Sequence, residues 1–255
     1  MSILDDVVTK TQNPGASRRE RLRTLAGAEV GRRTGLFTVP DIVSYDDARG
    51  EIVFRRLRLM SMREALSQPA RAGVLMSRVA EALSAIHAGM KPIDGAVHLP
   101  ESTRGTDPAR VHVPLHGDFG MRNLFYIPDT DGLAIIDWSN AGWMEIDVDM
   151  GPPEIDITVL LMSLFHRRFF GRWPIRGRHK VARRFLETYA ARAPQGLDLE
   201  SLRESVSVSS PRFNRQTRRL KGPFRSLGWR HNTLDLRFFL HRFADEQSSG
   251  LQSTR

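Results

Sequence analysis

The 255-residue chain contains no cysteine, which removes disulfides, thiolate nucleophiles and cysteine-ligated metals from consideration. Long hydrophobic runs are also missing. The most apolar stretch, residues 157–165, includes Thr158 and Ser163 and is far shorter than a bilayer span, so no membrane span is expected. The opening MSILDDVVTK carries two aspartates where a secretory signal needs positive charge followed by a long apolar segment, and a cytoplasmic location is the expectation. Lysine is scarce: only Lys10, Lys91, Lys180 and Lys221 among 38 basic residues. That arginine-heavy balance reads equally as a compositional habit and as function. No repeat with a period of 20 to 50 residues and no low-complexity linker divides the chain.

What is present is a globular composition, 40% hydrophobic and 26% charged, on a chain long enough for one large domain or two small lobes sharing a cleft. Residues 17–33 have apolar positions Leu22, Leu25, Ala26 and Val30 at three-to-four spacing and predict a helix capped by Ser17. Residues 37–45 and 51–57 predict a hairpin across the turn-like 46–50, and Ser61 opens a short helix ending at Leu66. The segment 72–87 predicts a long amphipathic helix whose core face is Val74, Leu75, Val79, Leu83 and Ile86. After a Gly/Pro-punctuated stretch, residues 111–115 read as a strand, and 124–127 with 133–136 as a second hairpin. Residues 155–170 and 179–192 predict helices, 199–206 and 233–243 weaker ones, and 244–255 a disordered tail. Strands early and helices late is the pattern of an α+β protein with segregated layers.

The strongest local signal is His116-Gly117-Asp118-Phe119-Gly120-Met121-Arg122-Asn123, followed by Ile135-Ile136-Asp137-Trp138. An Asp five residues before an Asn, then a hairpin whose exit strand ends in a second Asp, is the layout of a kinase catalytic loop and its metal-binding Asp. The chemistry explains these residue types. Phosphoryl transfer needs a carboxylate to take the acceptor hydroxyl's proton, a role that suits Asp118, and oxygen donors for magnesium, which Asn123 and Asp137 supply. The pattern HGD-x4-N plus IDW resembles the aminoglycoside phosphotransferase and choline kinase family of small-molecule kinases. Gly151-Pro152-Pro153-Glu154-Ile155-Asp156 looks like that family's GDP-x-x-D segment, and Leu83-Ser84-Ala85-Ile86-His87 like its L-x-x-LH helix ending. The resemblance spans about residues 10 to 192. It implies a protein-kinase-like fold, with a small sheet-containing N-lobe over 1–57 and a mainly helical C-lobe over 58–243. It also implies Mg2+, with ATP or GTP as the phosphoryl donor to a small-molecule hydroxyl. His116 and Asp156 are expected to support the loop rather than react.

The N-terminus departs from this pattern. Only nine residues precede Lys10, so the hairpin that covers the phosphates is expected to be missing or entered part-way. Lys10 is the candidate strand lysine for nucleotide binding, and Glu29 its expected helix partner. Gly27, Gly31 and Gly35 do not form a phosphate loop, because they lie in the predicted helix and lack the Gly-Lys-Ser/Thr ending. Such an N-lobe leaves open a slow kinase or a catalytically inactive nucleotide-binding scaffold. The 19 residues from Asp137 to Asp156 leave no room for a long phosphorylatable activation segment.

Charge bears on the acceptor. From Leu160 to Arg242 there are 19 Arg and Lys against five acids, a balance of +14, which disfavours a polycationic acceptor and points to a neutral or anionic one. The same third, with Arg212, Phe213, Arg215, Arg218, Arg219, Phe224, Arg225, Trp229 and Arg230, has the make-up of a single-strand-binding surface. Arg-rich helical faces are more often simply solvated, so nucleic acid is not the favoured partner. A zinc site of His112, His116 and Asp118 is disfavoured, since two side chains four residues apart on an extended segment stand about 13 Å apart.

Overall fold

The computed structural model describes residues 2–4, 6–99, 111–139, 148–166, 177–221 and 223–252. Residues 167–170 of the last apolar-run helix and 253–255 of the expected tail lie outside them. So do the side chains of Arg218, Arg219, Phe224, Arg225, Trp229 and Arg230. Strands β1 (Ser2–Leu4) and β2 (Val7–Thr11) form a hairpin with Val8 opposite Ile3, and Lys10 lies in its second strand. Strand β2 pairs with β4 (Glu51–Arg55), which pairs with β3 (Ile42–Asp46), giving an antiparallel sheet in the order β1-β2-β4-β3. The strand expected to begin at Phe37 begins only after Pro40. Thr38 instead makes a lone parallel bridge to Ala134, joining this region to the next sheet.

Between β2 and β3 runs α1 (Pro14–Thr34), capped by the Asn13 side chain on the Gly15 N–H, with Pro14 at its first position. Asn followed by Pro starts the helix one turn before Ser17, which is buried inside it. The apolar stripe misidentified the inward face. Leu25 is exposed, and the buried residues are Ser17, Glu20, Arg23, Thr24, Gly27, Val30 and Gly31. Their three-to-four spacing is helical, but the face they form is mostly polar.

The short β5 (Met60–Ser61) leads into α2 (Met62–Ala65), then α3 (Pro69–Gly89). Helix α3 buries Leu75, Met76, Val79, Ala80, Leu83 and Ile86, whereas Val74 lies off that face and is exposed. Only Val113–Pro114 of the expected 111–115 strand is β6. Strands β7 (Leu124–Ile127) and β8 (Gly132–Ile135) form the second hairpin over a single 3₁₀ turn, and with β5 make the sheet β5-β7-β8. Strand β9 (Met150–Gly151) pairs with β6 and feeds α4 (Glu154–Phe165), buried along almost its whole length. Helix α5 (Arg178–Arg192) packs Val181, Phe185, Leu186 and Tyr189 into the α3 core.

The last two helices are far longer than their sequence signals. Helix α6 (Leu199–Lys221) continues through Pro211, and α7 (Pro223–Gln252) passes well beyond residue 244, where a tail was expected. They form a hairpin closing on α4 through Leu202, Val206, Leu236, Phe239, Leu240 and Phe243. Tertiary packing of this kind carries helices whose own propensity is modest. The Arg183–Glu246 and Arg242–Glu246 pairs hold part of the last turns.

Gly27 on α1 faces Trp138, where an added Cβ would sit 2.4 Å from the indole ring. A Cβ at Gly73 on α3 would meet no heavy atom within 4 Å. Gly27→Ala is therefore expected to cost about 1–3 kcal/mol, and Gly73→Ala to be neutral or to stabilise by up to about 1 kcal/mol, in urea unfolding of the two variants. Equal effects would show that the α1–Trp138 contact is not tight.

Candidate active site

The loop after β6 is held from below by one carboxylate. Asp156, wholly buried in the first turn of α4, accepts the His116 N–H at 2.7 Å and the Gly117 N–H at 2.8 Å, and His87 Nε2 lies 3.2 Å from it. His87 Nδ1 is 2.7 Å from the Tyr189 hydroxyl, so the chain runs from α5 through α3 to α4 and the loop. Burial works to raise the Asp156 pKa, but the His87 hydrogen bond and the nearby histidines bring it below the usual carboxylate range. Gly117 has φ +80°, which lets the chain turn there without a side-chain clash.

His116 is wholly buried. Its ring has Nδ1 accepting from the Asp118 N–H at 3.3 Å and Nε2 donating to the Ile136 carbonyl at 3.2 Å. Burial pushes its pKa down to about 4, so the ring is neutral at pH 7 and can serve both bonds. It packs on Trp138 at 4.6 Å and on Phe119 at 5.6 Å. His112, the other member of the zinc reading, stacks instead on His98.

Asp118 and Asn123 meet directly. Asn123 Nδ2 donates to the Asp118 carbonyl at 2.9 Å and to its Oδ2 at 2.8 Å. Arg122 also donates to that Oδ2, through Nε at 3.1 Å and through Nη2. The Met121 N–H is pinned to Ser163 of α4 at 2.9 Å. Burial raises the Asp118 pKa, against the lowering effect of Arg122 and Asn123. The Asn123 carbonyl accepts from the Ile136 N–H at 3.0 Å, which ties this loop to the strand end that carries Asp137.

Asp137 has φ +57°, a left-handed backbone that is uncommon away from glycine and clusters at functional sites. Lys10 Nζ lies 2.7 Å from its Oδ1, 2.9 Å from Glu20 and 3.3 Å from Ser139 Oγ. Gln12 donates to Glu20 at 2.6 Å, and Ser139 to Asp137 Oδ1 at 2.5 Å. Desolvation lowers the Lys10 pKa, yet the two carboxylates outweigh it and the net shift is upward. Burial tends to raise the Asp137 pKa, and Lys10 reverses this to a net lowering. The helix acid is thus Glu20 and not Glu29. Glu29 is exposed and pairs with Arg32 at 2.6 Å. Nine residues along a helix is about 13 Å, beyond the reach of a lysine on β2.

Arg23 was missed by sequence reasoning. It is 1% exposed, donates to the Leu115 and His116 carbonyls at 2.5 and 2.7 Å, and lies 3.6 Å from Asp149. It therefore links α1 to the loop backbone. The available signal was the spacing Ser17, Glu20, Arg23, Gly27 and Gly31, a polar and small-residue stripe opposite the apolar one.

Three oxygens remain without a hydrogen bond among the described residues: Asp118 Oδ1, Asn123 Oδ1 and Asp137 Oδ2. They come from two loops joined by the Ile136–Asn123 bond. Two carboxylates and an amide carbonyl are all oxygen donors, the type of ligand a hard divalent cation takes.

No family model and no curated protein sequence matches the chain. Among solved structures it is similar to a glucosamine kinase in complex with glucosamine, ADP and inorganic phosphate, at TM-score 0.61 and 15% identity over 96% of this chain and 79% of that one. It is also similar to the choline kinase LicA from Streptococcus pneumoniae, at 0.55 and 12% over 96% and 88%. The gentamicin complex of APH(2")-IIa follows at 0.55 and 14% over 92% and 87%. At these identities the likeness is one of fold, and the chain has the protein-kinase-like α+β fold of those structures.

Two outcomes check this geometry. In chemical denaturation, Glu20→Ala is expected to cost about 1–3 kcal/mol by leaving Lys10 and Gln12 short of an acceptor, and Glu29→Ala no more than about 0.5 kcal/mol. For His116 the folded pKa lies below the unfolded one, so its contribution is whole above about pH 6.5 and is lost as pH falls toward 4, where only the unfolded state takes up the proton. Wild type minus His116→Asn should show this slope between pH 6.5 and 4, amounting to about 3 kcal/mol at most. A flat difference would mean the ring is solvated.

Proposed function

We propose that this chain transfers the γ-phosphoryl group of a nucleoside triphosphate, ATP or GTP, to a hydroxyl of a small neutral or anionic molecule. The observation that carries the reading is that Asp118, Asn123 and Asp137, on two segments joined by the Ile136–Asn123 hydrogen bond, each keep an oxygen without a partner among the described residues, with Lys10 salt-bridged to Asp137. Asp118 is the base: its Oδ2 is held by Asn123 and Arg122, which leaves Oδ1 to accept the proton of the acceptor hydroxyl. As that proton leaves, the hydroxyl oxygen forms the new bond to the γ-phosphorus and the bond to the β-phosphate oxygen breaks.

Asn123 and Asp137 are the residues that would hold Mg2+, and their free oxygens and the left-handed Asp137 backbone fit such a ligand. When bound, magnesium neutralises charge on the phosphates and helps to align them. Lys10, braced by Glu20 and paired with Asp137, is the nucleotide-binding cation. His116 and Asp156 set the loop's shape without reacting. The C-terminal balance of +14 disfavours a polycationic acceptor.

The test is ATP and GTP turnover with a panel of hydroxyl acceptors, alongside calorimetric binding of the magnesium nucleotide. Asp118→Asn should lower kcat by about 10²–10⁴ while nucleotide affinity stays within a few-fold. Nucleotide binding without turnover in the wild type would instead support a non-catalytic scaffold.

A further inference from the structure

Arg122 stands one residue before Asn123, in the turn that follows Asp118, and its side chain is 69% exposed. One edge of its guanidinium, Nε and Nη2, lies on Asp118 Oδ2. Nη1 has no partner among the described residues. Arg122 shares the Asp118 Oδ2 with Asn123, which donates to the same oxygen at 2.8 Å, so the carboxylate keeps a second anchor without the arginine. An exposed i,i+4 pair contributes little to stability. The guanidinium is thus a second, solvent-facing anion-binding group placed beside the one oxygen, Asp118 Oδ1, that an acceptor hydroxyl must reach.

Five carboxylates of the described residues around the site have partners. Asp118 faces Arg122, Asp137 and Glu20 share Lys10, Asp149 lies by Arg23, and Asp156 takes His87 and two backbone N–H groups. An ammonium group next to the reacting hydroxyl would meet the guanidinium of Arg122, a like charge. A carboxylate or phosphate there would meet the planar, unused edge of a guanidinium, the geometry best matched to those anions.

We propose that Arg122 recognises the acceptor, and that the acceptor is a hydroxy acid or a phosphorylated polyol whose anionic group lies near the hydroxyl that receives phosphate. This rests on the phosphotransferase reading above and narrows its acceptor class. Arg122 is a specificity-determining residue, separate from the proton-accepting role of Asp118.

The experiment measures ADP formation by the full chain with MgATP on acceptors matched except for charge: glycerate against glycerol, a sugar acid and a sugar phosphate against the parent sugar, and the corresponding amino sugar. The expected result is a kcat/KM at least tenfold higher for an acid than for its uncharged parent. Arg122→Ala should erase that difference by raising the acceptor KM tenfold or more, with the KM for ATP unchanged within twofold. Arg122→Lys, a point charge without the fork, should recover part of it, and Arg122→Glu should move preference toward the amino sugar. Preference of the wild type for amino or uncharged acceptors overturns the proposal, as does an Arg122→Ala effect confined to the KM for ATP, which would assign the guanidinium to the donor's γ-phosphate. MgATP binding without turnover of any acid on the panel also overturns it. Failure of MgATP to bind at all removes the phosphotransferase reading itself.

Discussion

A carboxylate with no access to water is costly unless hydrogen bonds and a partner surround it, and Asp156 is such a group. The N–H groups of His116 and Gly117, together with His87, occupy it, so the same interactions that make its burial tolerable also fix the path of the loop carrying Asp118. Moving that loop would strand a buried charge. The rest of the site follows from this constraint. His116, anchored by its own N–H, passes the restraint to the Asp118 N–H and the Ile136 carbonyl, which spans the gap between the two acid-bearing segments. Asn123 adds a second bridge between the same segments through its carbonyl.

Helix α1 closes the arrangement from the other side, and it does so with polar atoms. Glu20 braces Lys10 against Asp137, Arg23 grips the loop carbonyls, and Gly27 admits the Trp138 ring. Most helices of a small domain turn an apolar stripe inward. This one turns inward the residues that touch the site and leaves Leu25 in solvent, a sacrifice of burial that makes sense only if the contacts serve the site. Lys10, Glu20 and Asp137 thereby join the first sheet, α1 and the strand after the loop through one cluster of charges.

Much of this was legible in the sequence, for identifiable reasons. The spacing of Asp118, Asn123 and Asp137 is short-range information, set by one loop and one hairpin, and β7 and β8 lie within a residue of where alternation and the Pro128–Gly132 turn put them. The pairing of Lys10 with Asp137 spans 127 residues, and that of Arg23 with His116 spans 93, so neither leaves a local trace. Glu20 and Glu29 are both acids of the same helix, and the chain alone does not say which turn faces β2. The polar inner face of α1 defeated a rule that equates burial with hydrophobicity. Helices α6 and α7 were underestimated because Pro211 and a run of arginines interrupt the periodicity, while their length is sustained by packing on each other and on α4.

The charge of the C-terminal third is partly spoken for within the fold. Arg178 pairs with Asp235, Arg183 with Glu246 and Arg192 with Glu81, so the basic balance is not a bare electrostatic surface on α5. Near the loop, the exposed Arg122 pairs with Asp118. The central proposal is that Asn123 and Asp137 hold a divalent cation beside the base Asp118, and its most direct test is Mn2+ binding by electron paramagnetic resonance with a non-hydrolysable ATP analogue. The account requires one Mn2+ per chain in the wild type, bound at least tenfold more weakly by Asn123→Ala and by Asp137→Asn. Affinity indifferent to both substitutions would contradict it.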